Sequence, residues 1–182
     1  MSIPDRSRSE EETRIVERLL GRKARTEYTV VARCPDGTPQ VLKVHPVFKE
    51  EGRWKPFPSY FWLVCPRLKL EISRLEETNH IRFFVEKLQK DAEFMREFIA
   101  GQKAITAARL QFALEVTREN LPENLLKILS TVNISGSMWQ YGVKCLHAHT
   151  AQTIAFGRNP IGSAVMQILG PCSRENPCAK FI

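Results

Sequence analysis

The 182-residue chain lacks an apolar run long enough to cross a bilayer. A membrane-spanning helix needs about 20 largely apolar residues, and no segment approaches that length. The N-terminal segment also lacks the apolar core of a secretion signal. Both absences predict a cytoplasmic protein. With 43% hydrophobic and 26% charged residues, the composition is that of a globular protein with a core of its own.

Several sequence motifs are absent as well. The chain has no Walker loop, no glycine-rich dinucleotide fingerprint and no HExxH motif. It shows no internal repeat and no low-complexity segment. It also lacks the paired Cys-x-x-Cys spacing by which zinc ribbons are recognised. The recognisable nucleotide-binding and metalloprotease classes are therefore excluded, and the five cysteines do not reveal a metal site by spacing alone.

The net charge is positive. A formal charge of +7 and a pI near 9.3 favour an anionic partner, such as a phosphorylated small molecule, a nucleotide or nucleic acid. Many of the basic residues alternate with glutamates along predicted helices, which is also the pattern of an ordinary solvated face. The sequence does not indicate the oligomeric state.

Hydrophobic periodicity predicts an α+β fold, in which a small antiparallel sheet packs with predominant helices. The sheet is expected to contain a hairpin of strands 28–34 and 40–45, followed by a central strand over 59–65. The last segment is almost continuously apolar, as in a strand covered on both faces. The intervening residues 46–58 are rich in proline and charge and are predicted to form a loop.

The remaining apolar residues recur at helical spacing. Helices are predicted over residues 10–22, 66–77, 80–118 (one or two helices, with Gly101 as the position that would loosen or break the run), 122–129, 143–156 and 161–169, with a loop over 130–142. We expect a helical extension over residues 1–26, a single α+β domain over 27–170, and an irregular cysteine-containing tail over 171–182.

Three cysteines occupy positions at which folds gather binding groups. Cys34 and Cys65 each end a strand-like run and precede a proline, and Cys145 lies in the first turn of a predicted helix. Strand ends and helix N-termini bring donors together, so the three thiols are predicted to meet. A cation stands near each of them, at the positions Arg33, Arg67 and Lys144. Such cations favour the thiolate form and are predicted to receive an anionic substrate.

A thiol-rich site of this kind predicts metal binding. With His147 or His149, the three cysteines would form a closed tetrahedral zinc shell; alone, they could hold an iron–sulfur cluster with one open iron. Cys145 with a histidine base would instead form a nucleophile pair. The remaining alternative is that the cysteines only pack in the core and the histidines are structural. The tail cysteines, Cys172 and Cys178, could supply ligands or a disulfide, although an irregular tail without such a role is favoured.

The chain resembles the bacterial family catalogued as domain of unknown function 501 over about residues 28–162. The segments that carry the resemblance are Ala32-Arg33-Cys34-Pro35 with Gly37 and Pro39, Phe57 to Pro66, Ile72-Ser73-Arg74-Leu75-Glu76, Gly142-Val143-Lys144-Cys145-Leu146-His147-Ala148, and Asn159-Pro160-Ile161-Gly162. The resemblance implies cysteines at positions 34, 65 and 145 and a histidine at 147, so it moves the prediction for the fourth group from His149 to His147. The family implies no activity.

Three functional hypotheses follow. In the first, a metalloenzyme holds zinc or an iron–sulfur cluster on Cys34, Cys65, Cys145 and His147, with Cys145 and His147 as the catalytic residues. Its substrate would be an anionic small molecule or a nucleotide. In the second, structural zinc stiffens a basic module that binds RNA or a protein. In the third, Cys145 and His147 form a metal-free thiol enzyme.

Overall fold

The fold is the predicted α+β arrangement. The computed structural model of the protein describes residues 9–57, 59–117, 120–133, 142–173 and 178. In chain order its elements are α1 (Glu10–Leu20), β1 (Tyr28–Arg33), β2 (Pro39–Val44), β3 (Val47–Glu50), β4 (Arg53–Pro56), β5 (Phe61–Leu63), α2 (Pro66–Glu77), α3 (His80–Lys90), α4 (Ala92–Thr117), α5 (Glu123–Thr131), α6 (Leu146–Phe156) and α7 (Pro160–Leu169). None of the described helices combines the length and apolarity that crossing a membrane requires.

The main sheet has three antiparallel strands in the order β1-β2-β5. The predicted hairpin of β1 and β2 is confirmed, with Tyr28 opposite Val44. The apolar segment before Cys65 also forms a strand, but β5 lies at an edge of the sheet and the central strand is β2. The first four residues of β2 are all buried, as expected for a strand with a neighbour on each side.

The prediction of a loop over residues 46–58 is wrong for most of that segment. β3 and β4 pair antiparallel as a second hairpin, with Val47 opposite Pro56. The turn is made by Glu51 and Gly52, both with positive φ (52° and 75°), as in the two-residue turns that match strand twist. The two strands are not recognisable in the sequence of this segment, because its prolines and charged residues are typical of loops.

Two long helices form where one or two were predicted. α3 and α4 are separated at Asp91, whose side chain accepts hydrogen bonds from the backbone N–H groups of Glu93 (3.1 Å) and Phe94 (3.0 Å). The helix does not break at Gly101, which lies inside α4. A Cβ at Gly101 would come within 1.8 Å of the Arg158 carbonyl oxygen, so this glycine permits close packing rather than a break.

The main core draws buried side chains from α2, α3, α4, α6, α7 and the sheet. α6 packs on β5 and α7 and also contacts α2. The core contains fully buried apolar side chains such as Phe84, Phe98 and Leu146. It also contains the cysteines that follow β1, β5 and α7, so the fold buries thiols together at one end of the sheet. The loop predicted over 130–142 lies mostly outside the described residues.

Candidate functional site

Four cysteines converge inside the core. Cys34 follows β1, Cys65 stands between β5 and α2, Cys172 follows α7, and Cys178 lies further along the C-terminal segment. Their exposed fractions are 5%, 0%, 9% and 1%, respectively. All four thiols are free, and their sulfur atoms lie within 4.8 Å of one another. Three regions that are distant in sequence, the last of which carries both Cys172 and Cys178, therefore build one buried sulfur cluster, which we call the four-cysteine centre.

The spacing of these sulfur atoms fits one metal ion. The Sγ atom of Cys65 lies 3.5 Å from that of Cys178 and 3.7 Å from that of Cys172, and Cys34 Sγ lies 3.9 Å from Cys178 Sγ. A tetrahedral ion with zinc–sulfur bonds of about 2.3 Å would separate its sulfur ligands by about 3.8 Å. Three of the six distances between sulfur atoms are thus close to this value and all lie within 4.8 Å, so the four-cysteine centre could hold a metal ion.

The electrostatics of the four-cysteine centre favour a bound cation. Hydrogen bonding with Cys34 lowers the pKa of the Cys65 thiol to about 6. The same interaction, together with burial, raises the pKa of Cys34 far above its usual range, and burial raises the pKa of Cys178 to about 11. Without a cation, the centre can thus carry one negative charge but opposes further charges. A metal ion would compensate the four thiolates that it needs as ligands.

Arg67, in the first turn of α2, fixes the segment that carries Cys172. Its guanidinium donates hydrogen bonds to the carbonyl oxygens of Leu169, Gly170 (3.3 Å) and Pro171 (2.9 Å), and it lies 3.8 Å from Cys172 Sγ. It also pairs with Glu71 at 3.1 Å. Arg67 therefore connects α2, the end of α7 and one of the four sulfur atoms.

A second group joins Glu76 of α2 to the start of α6. His147 Nδ1 lies 3.7 Å from Cys145 Sγ and 3.3 Å from Glu76 Oε1. The other ring nitrogen of His147, Nε2, lies 3.0 Å from the carbonyl oxygen of Lys69. Glu76 Oε1 also accepts a 2.6 Å hydrogen bond from the backbone N–H of Leu146, the first residue of α6. We call Glu76, Cys145 and His147 the mixed-ligand group.

The mixed-ligand group is half-buried and charged. Burial opposes a positive charge on His147, but hydrogen bonds to Cys145 and to the Lys69 carbonyl raise its pKa to about 9. The side chains of His147 and Glu76 are each 24% exposed. A thiol, an imidazole and a carboxylate in mutual contact can either pair as nucleophile and base or ligate a metal ion.

The structure divides the predicted site into two. Cys34 and Cys65 belong to the four-cysteine centre, whereas Cys145 and His147 belong to the mixed-ligand group. The prediction that all three cysteines meet is corrected accordingly, because Cys145 does not join the sulfur cluster. Cys65 and Glu76 lie at opposite ends of α2, which places them roughly 16 Å apart along the helix axis at 1.5 Å per residue.

Cys172, Cys178 and Glu76 are not among the residues that the sequence predicts for the site. For Cys172 and Cys178 the sequence allows a role as ligands but favours a tail without one, whereas in the structure both are buried and their sulfur atoms lie 3.7 and 3.5 Å from Cys65 Sγ. Their sequence signal is that each follows a proline in a short polar segment. Glu76 lies in a segment that carries the family resemblance, but its partner across the fold is invisible in the sequence.

His149 has a structural position. It is fully buried, and its Nδ1 lies 2.9 Å from the side-chain nitrogen of Asn159. That nitrogen also donates to Gln152 at 2.8 Å, while the Asn159 oxygen accepts from the backbone N–H of Gly162 at the start of α7. Burial lowers the pKa of His149 to about 4. His149 thus lies in a buried hydrogen-bond network, whereas His147 belongs to the mixed-ligand group; the choice of His147 as the site residue stays a prediction.

The three predicted cations differ in their surroundings. Arg33 donates to the Gly37 carbonyl at 3.1 Å and pairs with Glu12, Arg67 contacts Cys172, and Lys144 is exposed beside Cys145. Their predicted role as receptors for an anionic substrate stays a prediction.

Comparison with known proteins identifies the family to which the chain is similar. No curated protein and no solved structure matches the chain. Residues 30–167 match the family described as "Protein of unknown function (DUF501)", which covers most of the chain and agrees with the resemblance noted from the sequence. The description gives no activity, ligand or partner. The chain therefore belongs to the DUF501 family.

Proposed function

We propose that the protein is a zinc protein in which Cys34, Cys65, Cys172 and Cys178 bind a single ion. The observation that carries this proposal is that three of the six distances between the sulfur atoms are 3.5–3.9 Å and that all four sulfur atoms lie within 4.8 Å of one another. That spacing corresponds to the edges of one ZnS₄ tetrahedron. In this arrangement zinc ties the segment after α7 to the strand ends.

The spacing favours a single ion over an iron–sulfur cluster. In a four-iron cluster each cysteine ligates a different iron, so the distances between irons add to the distances between cysteine sulfurs. Sulfur atoms already in contact leave no room for such a cluster unless the ligands move apart. A single tetrahedral iron would fit the same four sulfurs, and its colour would distinguish it from zinc.

The role of this ion is structural. Four protein ligands complete the tetrahedron and leave no coordination position for a substrate, as in structural rather than catalytic zinc sites. The burial of all four cysteines supports the same conclusion. Enzymatic chemistry on an anionic small molecule or nucleotide then belongs to the mixed-ligand group, where Lys144 supplies an exposed cation beside Cys145.

The proposal is tested by metal content. Protein purified under reducing, oxygen-free conditions is analysed for zinc, iron and acid-labile sulfide, alongside Cys172→Ser and Cys178→Ser. Each variant is expected to lose the ion of the four-cysteine centre, because three thiolates with a hydroxyl bind zinc less well than four thiolates. Cys145→Ser is the matched control and retains that ion. Unchanged zinc in both tail variants, or iron with sulfide in the wild type, would contradict the proposal.

A further inference from the structure

We infer that Glu76, Cys145 and His147 form a second zinc site, separate from the four-cysteine centre and open at one coordination position. The inference deepens the proposed function, since it gives a ligand to the group in which that function places the chemistry. It does not require the four-cysteine centre to be loaded. The ligand is a divalent cation that accepts nitrogen, oxygen and sulfur donors together, for which zinc is the best match.

The distances among the three donors match a zinc tetrahedron. Bonds of about 2.3 Å to sulfur, 2.0–2.1 Å to nitrogen and 2.0–2.2 Å to oxygen place sulfur and nitrogen about 3.6 Å apart, and nitrogen and oxygen about 3.4 Å apart. The observed separations from His147 Nδ1 are 3.7 Å to Cys145 Sγ and 3.3 Å to Glu76 Oε1. Two of the three separations therefore match a zinc tetrahedron, and the ligand atoms of all three residues lie within 4.8 Å of one another.

The neighbouring hydrogen bonds orient these donors. His147 directs Nδ1 into the group, and its Nε2 lies 3.0 Å from the Lys69 carbonyl oxygen. A zinc-ligating histidine commonly donates its second N–H to such a carbonyl, which fixes the tautomer and the ring plane. Glu76 is fixed in turn by the 2.6 Å hydrogen bond from the backbone N–H of Leu146. Both His147 and Glu76 therefore have a backbone partner that orients their side chains.

The number and type of the protein ligands leave one coordination position of the zinc ion open. Three protein ligands with a fourth position for water or substrate are the pattern of catalytic zinc sites. The thiolate and the carboxylate together balance the charge of a divalent ion. The group is half-buried, so the open position can face solvent, in contrast to the enclosed four-cysteine centre.

The first test is zinc stoichiometry on the full chain after loading with zinc and gel filtration. The wild type is expected to hold two ions, and Cys145→Ser and His147→Gln are each expected to hold one. Cys145 is the N-cap of α6, and serine is favoured at that position, so the cysteine variant should retain the fold. Only one ion in the wild type, fully retained by both variants, would overturn the inference.

The second test uses cobalt and alkylation on the wild type, so it does not depend on any variant. Cobalt is expected to fill two sites in sequence, with a weaker sulfur-to-metal absorption for the site that has one thiolate. Zinc is also expected to protect Cys145 from iodoacetamide, as judged by mass spectrometry of the peptides. If Cys145 is alkylated equally fast with zinc and with chelator, the metal site is refuted and the group acts as a free thiol and base.

The two proposals fail in different ways. If Cys172→Ser holds as many ions as the wild type while Cys145→Ser holds one fewer, the four-cysteine centre is not a zinc site, and the inference about the mixed-ligand group stands. If Cys145→Ser retains every ion of the wild type, the mixed-ligand group is not a metal site, and the four-cysteine centre stands.

Discussion

The four-cysteine centre and the mixed-ligand group stand at the two ends of one helix and differ in almost every physical property. Cys65 precedes α2 and Glu76 lies in its last turn. The four-cysteine centre is buried and made of four identical donors from three regions that are distant in sequence. The mixed-ligand group is half-buried and made of three different donors from α2 and the start of α6. α2 therefore connects a buried centre of four thiols with a half-buried group of three different donors.

The same residue type therefore occupies two different chemical environments. Cysteines packed among apolar side chains are chemically inert unless they ligate a metal ion. Cys145, in contrast, has an imidazole at 3.7 Å and a lysine next to it in the chain, which is the environment of a reactive thiol. Removing a thiol should thus affect stability at the first centre and metal binding or chemistry at the second.

The largest effect is expected for Cys65→Ser. Cys65 is fully buried and its sulfur contacts those of Cys172 and Cys178, so serine removes a central ligand and buries a hydroxyl among thiols. We expect the free energy of unfolding to fall by about 4 kcal/mol, as for other losses of a structural metal. Urea denaturation in the presence of zinc measures this change.

The matched substitution at the other group is Cys145→Ser. It lies at a half-buried N-cap, where serine supports the helix, and the expected loss is below about 1 kcal/mol. Equal losses for the two variants would abolish the distinction between a structural and a reactive thiol.

A smaller effect is expected for Arg67→Gln. The shorter neutral side chain cannot reach the carbonyl oxygens of Leu169, Gly170 and Pro171, so the segment that carries Cys172 loses its attachment to α2. Loss of such a supporting group typically weakens metal affinity by about 10- to 100-fold, and competition with a chelator of known affinity measures it. Arg82→Gln, which removes an exposed i,i+4 ion pair on α3, is the control. Equal zinc affinity in both variants would show that Arg67 does not support the centre.

The sequence predicts the described helices and the first hairpin, but it predicts neither the second hairpin nor the pairing of the donors. Periodicity located the helices because each buries one face, and Pro35-Asp36-Gly37 marked the first hairpin because its residues suit a turn. The second hairpin was missed because Glu51-Gly52 is a weak turn signal among charges. The edge position of β5 was missed because a short apolar strand can be covered by helices as well as by neighbouring strands.

The sequence predicts the candidate site less completely than it predicts the fold. The sequence identified Cys34, Cys65, Cys145 and His147 as chemically significant, and all four lie in groups that could bind a metal. It could not assign them to two groups, because the length of α2 separates the strand ends from the start of α6. The sequence also does not predict that Cys172 and Cys178 join the four-cysteine centre. Their segment has no hydrophobic periodicity from which the direction of the chain could be predicted.

Glu76 can be tested as a ligand by removing its negative charge while keeping its hydrogen-bond acceptor. Glu76→Gln keeps an oxygen that can accept from the Leu146 N–H but removes the negative charge that a divalent ion requires. We expect the second zinc to bind about 10-fold more weakly or worse, with little change at the four-cysteine centre. Glu77→Gln changes the neighbouring exposed carboxylate and should leave both affinities unchanged. Isothermal titration of zinc into each metal-free variant measures both sites, and equal results for the two variants would remove Glu76 from the ligand set.

The smallest effect is expected for Arg33→Gln, which tests whether adjacency to a cysteine in sequence is the same as support of the metal. Arg33 precedes Cys34, but its guanidinium is directed to Glu12 and to the Gly37 carbonyl, whereas Arg67 contacts a sulfur atom. An exposed pair of this kind contributes up to about 1 kcal/mol to stability. We therefore expect a small decrease in the free energy of unfolding and an unchanged affinity of the four-cysteine centre for zinc. If zinc affinity falls as far as in Arg67→Gln, charge near the centre matters more than contact with its ligands.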